Sequence, residues 1–138
     1  MEKKLKDYVR DYYFQQNFNC AEAIIHAAND YYQLGLHEKD MIMVAGFGAG
    51  LQTGNTCGAI ISSISVLSLL FVKKNAHEGN TITITSAKFI NRFKEKYHST
   101  LCKDVRPQSF VKEIRCLNTI DSACDILEEV VKEYRKEF

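Results

Sequence analysis

Residues 46–72, GFGAGLQTGNTCGAIISSISVLSLLFV, decide how this chain is read. A glycine-rich loop opens the stretch. Gly46, Gly48, Gly50 and Gly54 are free to take positive φ, or to admit a close neighbour where a Cβ would block it. Thr56 and Cys57 follow, and then the most apolar run in the sequence. From Cys57 to Val72 nearly every residue is apolar or small. That is too long for an ordinary strand and contains no turn signal, so it predicts a buried helix. Asn55 or Thr56 offers the N-cap oxygen. Cys57 then lies in the first turn, where unpaired backbone N–H groups favour thiolate over thiol. Gly58, Ala59, Ser62 and Ser65 make a small-residue stripe along this helix, suited to close approach of another helix.

Upstream, Asn19 followed three residues later by Glu22 is a capping signature. It starts a helix over 20–33 with Cys20, Ile24, Ala27, Ala28 and Tyr31 on one face, so Cys20 occupies a first turn as Cys57 does. Leu5, Tyr8, Val9 and Tyr12 recur at helical spacing and predict a first helix over 3–16. Gly35 ends the second helix, and 37–45 reads as a short third one feeding the glycine loop. Downstream, 73–80 is a polar loop. Thr81 to Thr85 alternates like a strand but has nothing to pair with, so it is read as the lead-in to a helix carrying Phe89, Ile90, Phe93 and Tyr97 and ending near His98. Cys102 falls in a connection reaching Pro107, 110–114 makes one more turn before Cys116, and a last helix covers 118–137. The sum is an all-α fold, a compact bundle of about five to six helices around the buried central helix at 57–72, in a single domain over 1–138.

The 18 basic and 17 acidic side chains nearly cancel and are interspersed, which leaves no nucleic-acid footprint. The first residues lack the apolar region of a secretory signal. The run at 57–72 falls short of the ~20 apolar residues of a membrane span and is interrupted by serines. These features point to a cytoplasmic protein. There, five cysteines indicate metal binding or redox chemistry more than a disulfide framework, and an odd number cannot pair fully within one chain.

Cys124 sits mid-helix among Ala123, Leu127 and Val131, the setting of a small buried hydrophobe. Cys20, Cys57, Cys102 and Cys116 stand at helix starts or in connections, where a thiolate can be stabilised and reached. No Cys-x-x-Cys occurs, so spacing alone supports neither a zinc ribbon nor a thioredoxin-like motif. Four thiols from separate helix ends can nevertheless converge in a bundle. His26 follows Glu22 at i,i+4 as a surface pairing, and His98 reads as a solvated helix-end residue. The glycine loop follows no predicted strand and lacks a closing Gly-Lys-Ser/Thr, so it is not a phosphate loop.

Taken together, residues 19–25 (NCAEAII), Gly46-x-Gly-x-Gly50, residues 56–59 (TCGA), Cys102 and the Arg115–Cys116 pair resemble the C_GCAxxG_C_C family, small redox-active proteins defined by four cysteines. The resemblance runs from about residue 10 to 135 and assigns the fourth family cysteine to Cys116, leaving Cys124 as an extra. It departs at Ser62, where the family has its last glycine; serine is still small, so helix contact there is expected to survive, slightly loosened. The span between the last two cysteines is also short. The resemblance implies an all-helical fold, a four-cysteine site and electron or thiol chemistry.

Two mechanisms fit the set Cys20, Cys57, Cys102 and Cys116. In one, the four thiolates ligate an iron–sulfur or other metal centre for electron transfer, with backbone N–H groups of Gly46, Gly48, Gly50 and Gly58 stabilising the sulfur charge. In the other, they act in thiol–disulfide chemistry as an oxidoreductase without a cofactor, Cys57 or Cys20 attacking. A closed zinc ion is a third, structural option. The rival class is a helical interaction protein with incidental buried cysteines, whose small-residue helix and tyrosines serve a homodimer interface. A homodimer is expected in either case, with a redox partner the sequence does not identify.

Overall fold

Asn19 and Glu22 form the capping box expected of them. Glu22 N–H donates to Asn19 Oδ1 at 2.9 Å and Asn19 N–H to Glu22 Oε1 at 3.0 Å. Helix α2, Cys20–Tyr32, starts there, and it ends at Gln33 in the left-handed conformation. The computed structural model describes residues 2–136, so the expected domain ends at Met1 and Phe138, and the expected end of the last helix at Glu137, lie outside the described residues. α1 covers Leu5–Arg10 and continues as one wide π turn over Asp11–Gln15. The expected third helix is shorter, α3 at Glu38–Met41, and tightens into a 3₁₀ segment over Ile42–Phe47. Then come α4 (Gly58–Phe71), α5 (Thr81–Tyr97), α6 (Cys102–Ser109) and α7 (Leu117–Lys136). The fold is all-α, with seven α-helices and no strand among the described residues.

α4 is the central helix and packs against α2, α5 and α7. It buries Ala59, Ile60, Val66 and Leu67. Its serines are tolerated inside because each hydroxyl finds a carbonyl. Ser63 Oγ donates to Ala59 O at 2.7 Å, whereas the buried Ser62 Oγ crosses to Ala21 O on α2 at 2.7 Å. The serine at the family's glycine position therefore adds a bond between α2 and α4 instead of loosening it. Gly58, Ala59 and Ser62 are all buried within the chain, so most of the small-residue stripe faces a helix of the same molecule. Phe89 and Phe93 of α5 and Ile120, Ala123, Cys124, Leu127 and Val130 of α7 complete the core.

Thr81 to Thr85 proves to be the opening of α5 itself, with Thr85 Oγ1 donating to Thr81 O at 2.9 Å. Around Cys102 the structure corrects the expected connection to a helix. α6 starts at Cys102 and keeps Pro107 inside it. Residues 110–114 form a tight turn closed by a bridge between Val111 and Arg115, not a helical turn. The N-cap of α4 is Cys57 rather than Asn55 or Thr56; the Asn55 side chain accepts instead from the neighbouring Thr56 N–H at 2.8 Å. No helix among the described residues is long and apolar enough to cross a membrane.

The glycine loop has an unexpected hand. Of its four glycines only Gly50 and Gly54 take positive φ, while Ala49, Leu51 and Gln52 join them at φ of 51°, 58° and 64°. Residues 49–52 thus make a short left-handed turn. Each non-glycine residue in it costs on the order of 1 kcal/mol. A local bond closes it, Asn55 N–H donating to Gly50 O at 2.8 Å, and two tertiary bonds anchor the residues that follow: Cys102 N–H to Asn55 O at 2.6 Å and Cys57 N–H to Thr100 O at 2.8 Å.

Candidate functional site

Cys20 is the first residue of α2, Cys57 the N-cap of α4, and Cys102 the first residue of α6. Cys116 immediately precedes α7, and its carbonyl accepts Ile120 N–H at 3.0 Å. Each of the four thus stands at a helix N-terminus, where backbone N–H groups lack intrahelical partners. All four line one cavity of about 210 Å³, together with Tyr13, Asn19, Ala49, Gly58, Arg106, Phe110 and Arg115 among others. Among the described residues, two arginines and no carboxylate face it. Cys124 does not; it is fully buried between helices. All five cysteines are free thiols.

Glycines make the close approaches possible. A Cβ on Gly58 would stand 2.6 Å from Phe47 O and 2.9 Å from Cys20 Sγ. One on Gly50 would stand 2.6 Å from the Cys102 Cβ, and one on Gly48 would overlap the Asn19 amide. Gly46 meets nothing within 4 Å. Among the four glycines nominated from sequence only Gly58 lines the cavity; from the loop it is Ala49 that does so. Gly48 and Gly50 act one step back, admitting Asn19 and Cys102.

The electrostatics depart from the expectation of easily ionised thiols at Cys20 and Cys57. Burial pushes Cys57 up to about 12 and Cys20 up to about 11, each helped by the neighbouring thiols. Backbone N–H groups do aim at the sulfurs as anticipated, from Ala59 and Ile60 to Cys57 and from Ala49 and Ala21 to Cys20. Desolvation outweighs them, since moving charge out of water is the larger cost. Cys116 is also raised by burial, but it has the most opposing groups: the Arg106 and Arg115 guanidiniums and the Tyr13 hydroxyl. Tyr13 accepts Cys116 N–H at 3.2 Å. Arg115 lies over the Tyr13 ring at 4.3 Å and donates to Tyr13 O at 3.2 Å.

Tyr13, Arg106 and Arg115 were not singled out as site residues from the sequence. Only the adjacency of Arg115 to Cys116 hinted at one of them. Among the described residues, no three His, Cys, Asp or Glu side chains are grouped so as to hold a metal ion.

Fold and site together define a helical protein with cysteines at four helix N-termini around a single cavity. The family model described as "Putative redox-active protein (C_GCAxxG_C_C)" matches residues 18–130, and the chain belongs to that family. No curated protein and no solved structure shows significant similarity to it.

Proposed function

We propose that the cavity fronted by Cys20, Cys57, Cys102 and Cys116 is the redox centre of this protein, and that the four thiolates hold an iron–sulfur cluster serving electron transfer. The observation that carries this reading is the convergence of four helix N-termini, each bearing one cysteine, on one cavity with no carboxylate in its wall among the described residues. Such a wall suits a group of net negative charge. Among the described residues no three candidate ligands are grouped around one point, which favours a cluster over a single closed zinc ion. A cluster of several irons takes its cysteines on different metal atoms and tolerates a wider spread. When bound, it supplies one-electron transfer at a potential set by hydrogen bonds to sulfur and by nearby charge. The chain's own contribution is the N–H groups of Ala21, Ala49, Ala59 and Ile60 aimed at sulfur, the Tyr13 hydroxyl, and the Arg106 and Arg115 charges.

A second reading is favoured by Cys116, which alone has two guanidiniums and a phenol opposing its burial. In it the Cys116 thiolate attacks one sulfur of an organic disulfide and expels a thiolate. Cys102, within electrostatic reach of Cys116, then attacks the mixed disulfide and expels the second thiolate. The substrate gains two electrons, its two sulfurs take up the protons the cysteines lost, and the protein is left with one disulfide.

Metal and acid-labile sulfide content with a visible spectrum, on protein purified without oxygen, separates the two. Iron with matching sulfide, lost in Cys→Ser variants at 20, 57, 102 and 116 and retained in Cys124→Ser, is the expected result. Metal-free protein from a preparation never exposed to air overturns the cluster and leaves the dithiol. Retention of metal in all four variants removes the site assignment itself.

A further inference from the structure

A second cavity, of about 440 Å³, is bordered by Glu22 of the capping box. Tyr12, Phe18, Glu22, His26, Glu38 and Met41 are among its walls. Its aromatic side is continuous: the Phe18 and His26 rings stack with centroids 4.2 Å apart, and Tyr12 meets His26 at 4.9 Å. The Tyr12 hydroxyl donates to Asp30 at 2.5 Å, which fixes that ring. Among the described residues, two carboxylates face the space and no lysine or arginine lines it. Glu22 uses Oε1 in the capping box and has Oε2 to offer. Neither Glu22 nor Glu38 forms an ion pair with Lys or Arg among the described residues. Asn29 is committed on both sides to the Leu36 backbone. Burial lowers His26 below its ordinary value of 6.5 against the opposing pull of Glu22, Asp30 and Glu38, which disfavours a positive charge on the ring.

We infer that this cavity binds a small organic cation of the ammonium class, its apolar groups against the Tyr12–Phe18–His26 wall and its charge balanced by Glu22 and Glu38. The volume is that of a small-molecule site. Aromatic rings with nearby carboxylates attract an alkylated ammonium, and more strongly where water is excluded. An anion would meet two unpaired carboxylates. A neutral ligand would forgo both.

The test uses choline and its uncharged isostere 3,3-dimethylbutan-1-ol, followed by NMR of the His26 and Phe18 ring protons and by calorimetry. Choline is expected to saturate and to bind about tenfold or more tightly than the isostere, the equivalent of ~1.4 kcal/mol. Glu38→Gln should weaken choline about threefold or more while leaving the isostere unchanged. Glu22→Gln should do the same without unravelling α2, because glutamine also completes a capping box. Equal affinity for the two ligands, absence of saturation up to about 100 mM, or shifts confined to resonances away from residues 12–42 would overturn the inference. The readout is independent of iron, so its failure and that of the redox proposal are distinguishable.

Discussion

Replacing Gly58 by alanine sets two calculable effects against each other. Gly58 is the first residue of α4, and in a helix alanine is favoured over glycine by roughly 0.5–1 kcal/mol. The new methyl, however, would lie 2.6 Å from the carbonyl oxygen of Phe47 and 2.9 Å from Cys20 Sγ. Both are well inside contact distance, and the first partner is backbone at the end of the 3₁₀ segment. Overpacking of this kind costs roughly 1–3 kcal/mol, so the net expectation is a loss of about 1–2 kcal/mol. Gly46→Ala makes the same chemical change where nothing lies within 4 Å, and it should stay within about 0.5 kcal/mol of the parent. Urea denaturation of both variants measures the contrast. Cys20→Ala removes the sulfur contact but leaves the Phe47 carbonyl, so the double variant should recover part of the loss, with a coupling of about 0.5 kcal/mol or more. A Gly58→Ala protein as stable as the Gly46→Ala protein would refute the packing argument around Cys20.

Glu128, only 8% exposed, accepts the Leu5 N–H at 2.8 Å and the Tyr31 hydroxyl at 2.7 Å. Glu128→Ala should cost about 2–3 kcal/mol in a thermal or urea melt, because it orphans a buried N–H at the start of α1; a cost below about 0.5 kcal/mol would refute this. Asp121 bonds Arg10 at 3.0 Å through Oδ2, while its buried Oδ1 has no partner, and burial raises it above its ordinary 3.8. The folded state therefore holds the proton more tightly than the unfolded one. Stability contributed by protonated Asp121 is present below 3.8 and is lost as pH rises through the folded value. Urea melts at several pH values from about 3.5 upward should show Asp121→Asn lacking that decline, and parallel curves would sink the assignment. With iodoacetamide at pH 8, peptide mass spectrometry should find the half-buried Cys102 and Cys116 alkylated before Cys57 and Cys124, which are 6% and 0% exposed. A Cys57 near 12 is almost wholly protonated at that pH; alkylation at the rate of Cys102 would contradict the burial picture.

The parts of the fold legible in the sequence are those whose cause is local. α2 is announced by its own cap, and α4 by a run of residues too long and apolar to be anything else. α6 was hidden because Pro107 and a polar composition argue against a helix. It is held from outside, by Cys102 N–H on Asn55 O and by the bridge of Thr56 to Leu101. The left-handed turn at 49–52 was hidden for a related reason, since Ala49, Leu51 and Gln52 carry no local preference for positive φ. Cys20 and Cys57 were nominated for their place in a first turn, and Cys102 and Cys116 for standing in connections. That all four meet at one cavity depends on how four helices pack, which spacing does not encode. At Cys20 and Cys57 the direction of ionisation runs against the sequence reading, because a helix end can be read from sequence whereas depth of burial cannot.

The reversed hand of residues 49–52 opens the molecule to chemistry that ribosomes do not perform. Leu51 and Gln52 are exposed and sit in the conformation a D-residue prefers. D-alanine at either position would turn an unfavourable backbone into a favoured one, relieving on the order of 1 kcal/mol without touching the core. Cys57, a few residues on, is the natural junction for joining a synthetic 1–56 segment to the remainder. The same cysteine that fronts the cavity thus marks where this chain could be assembled from two halves, one of them carrying a mirror-image residue.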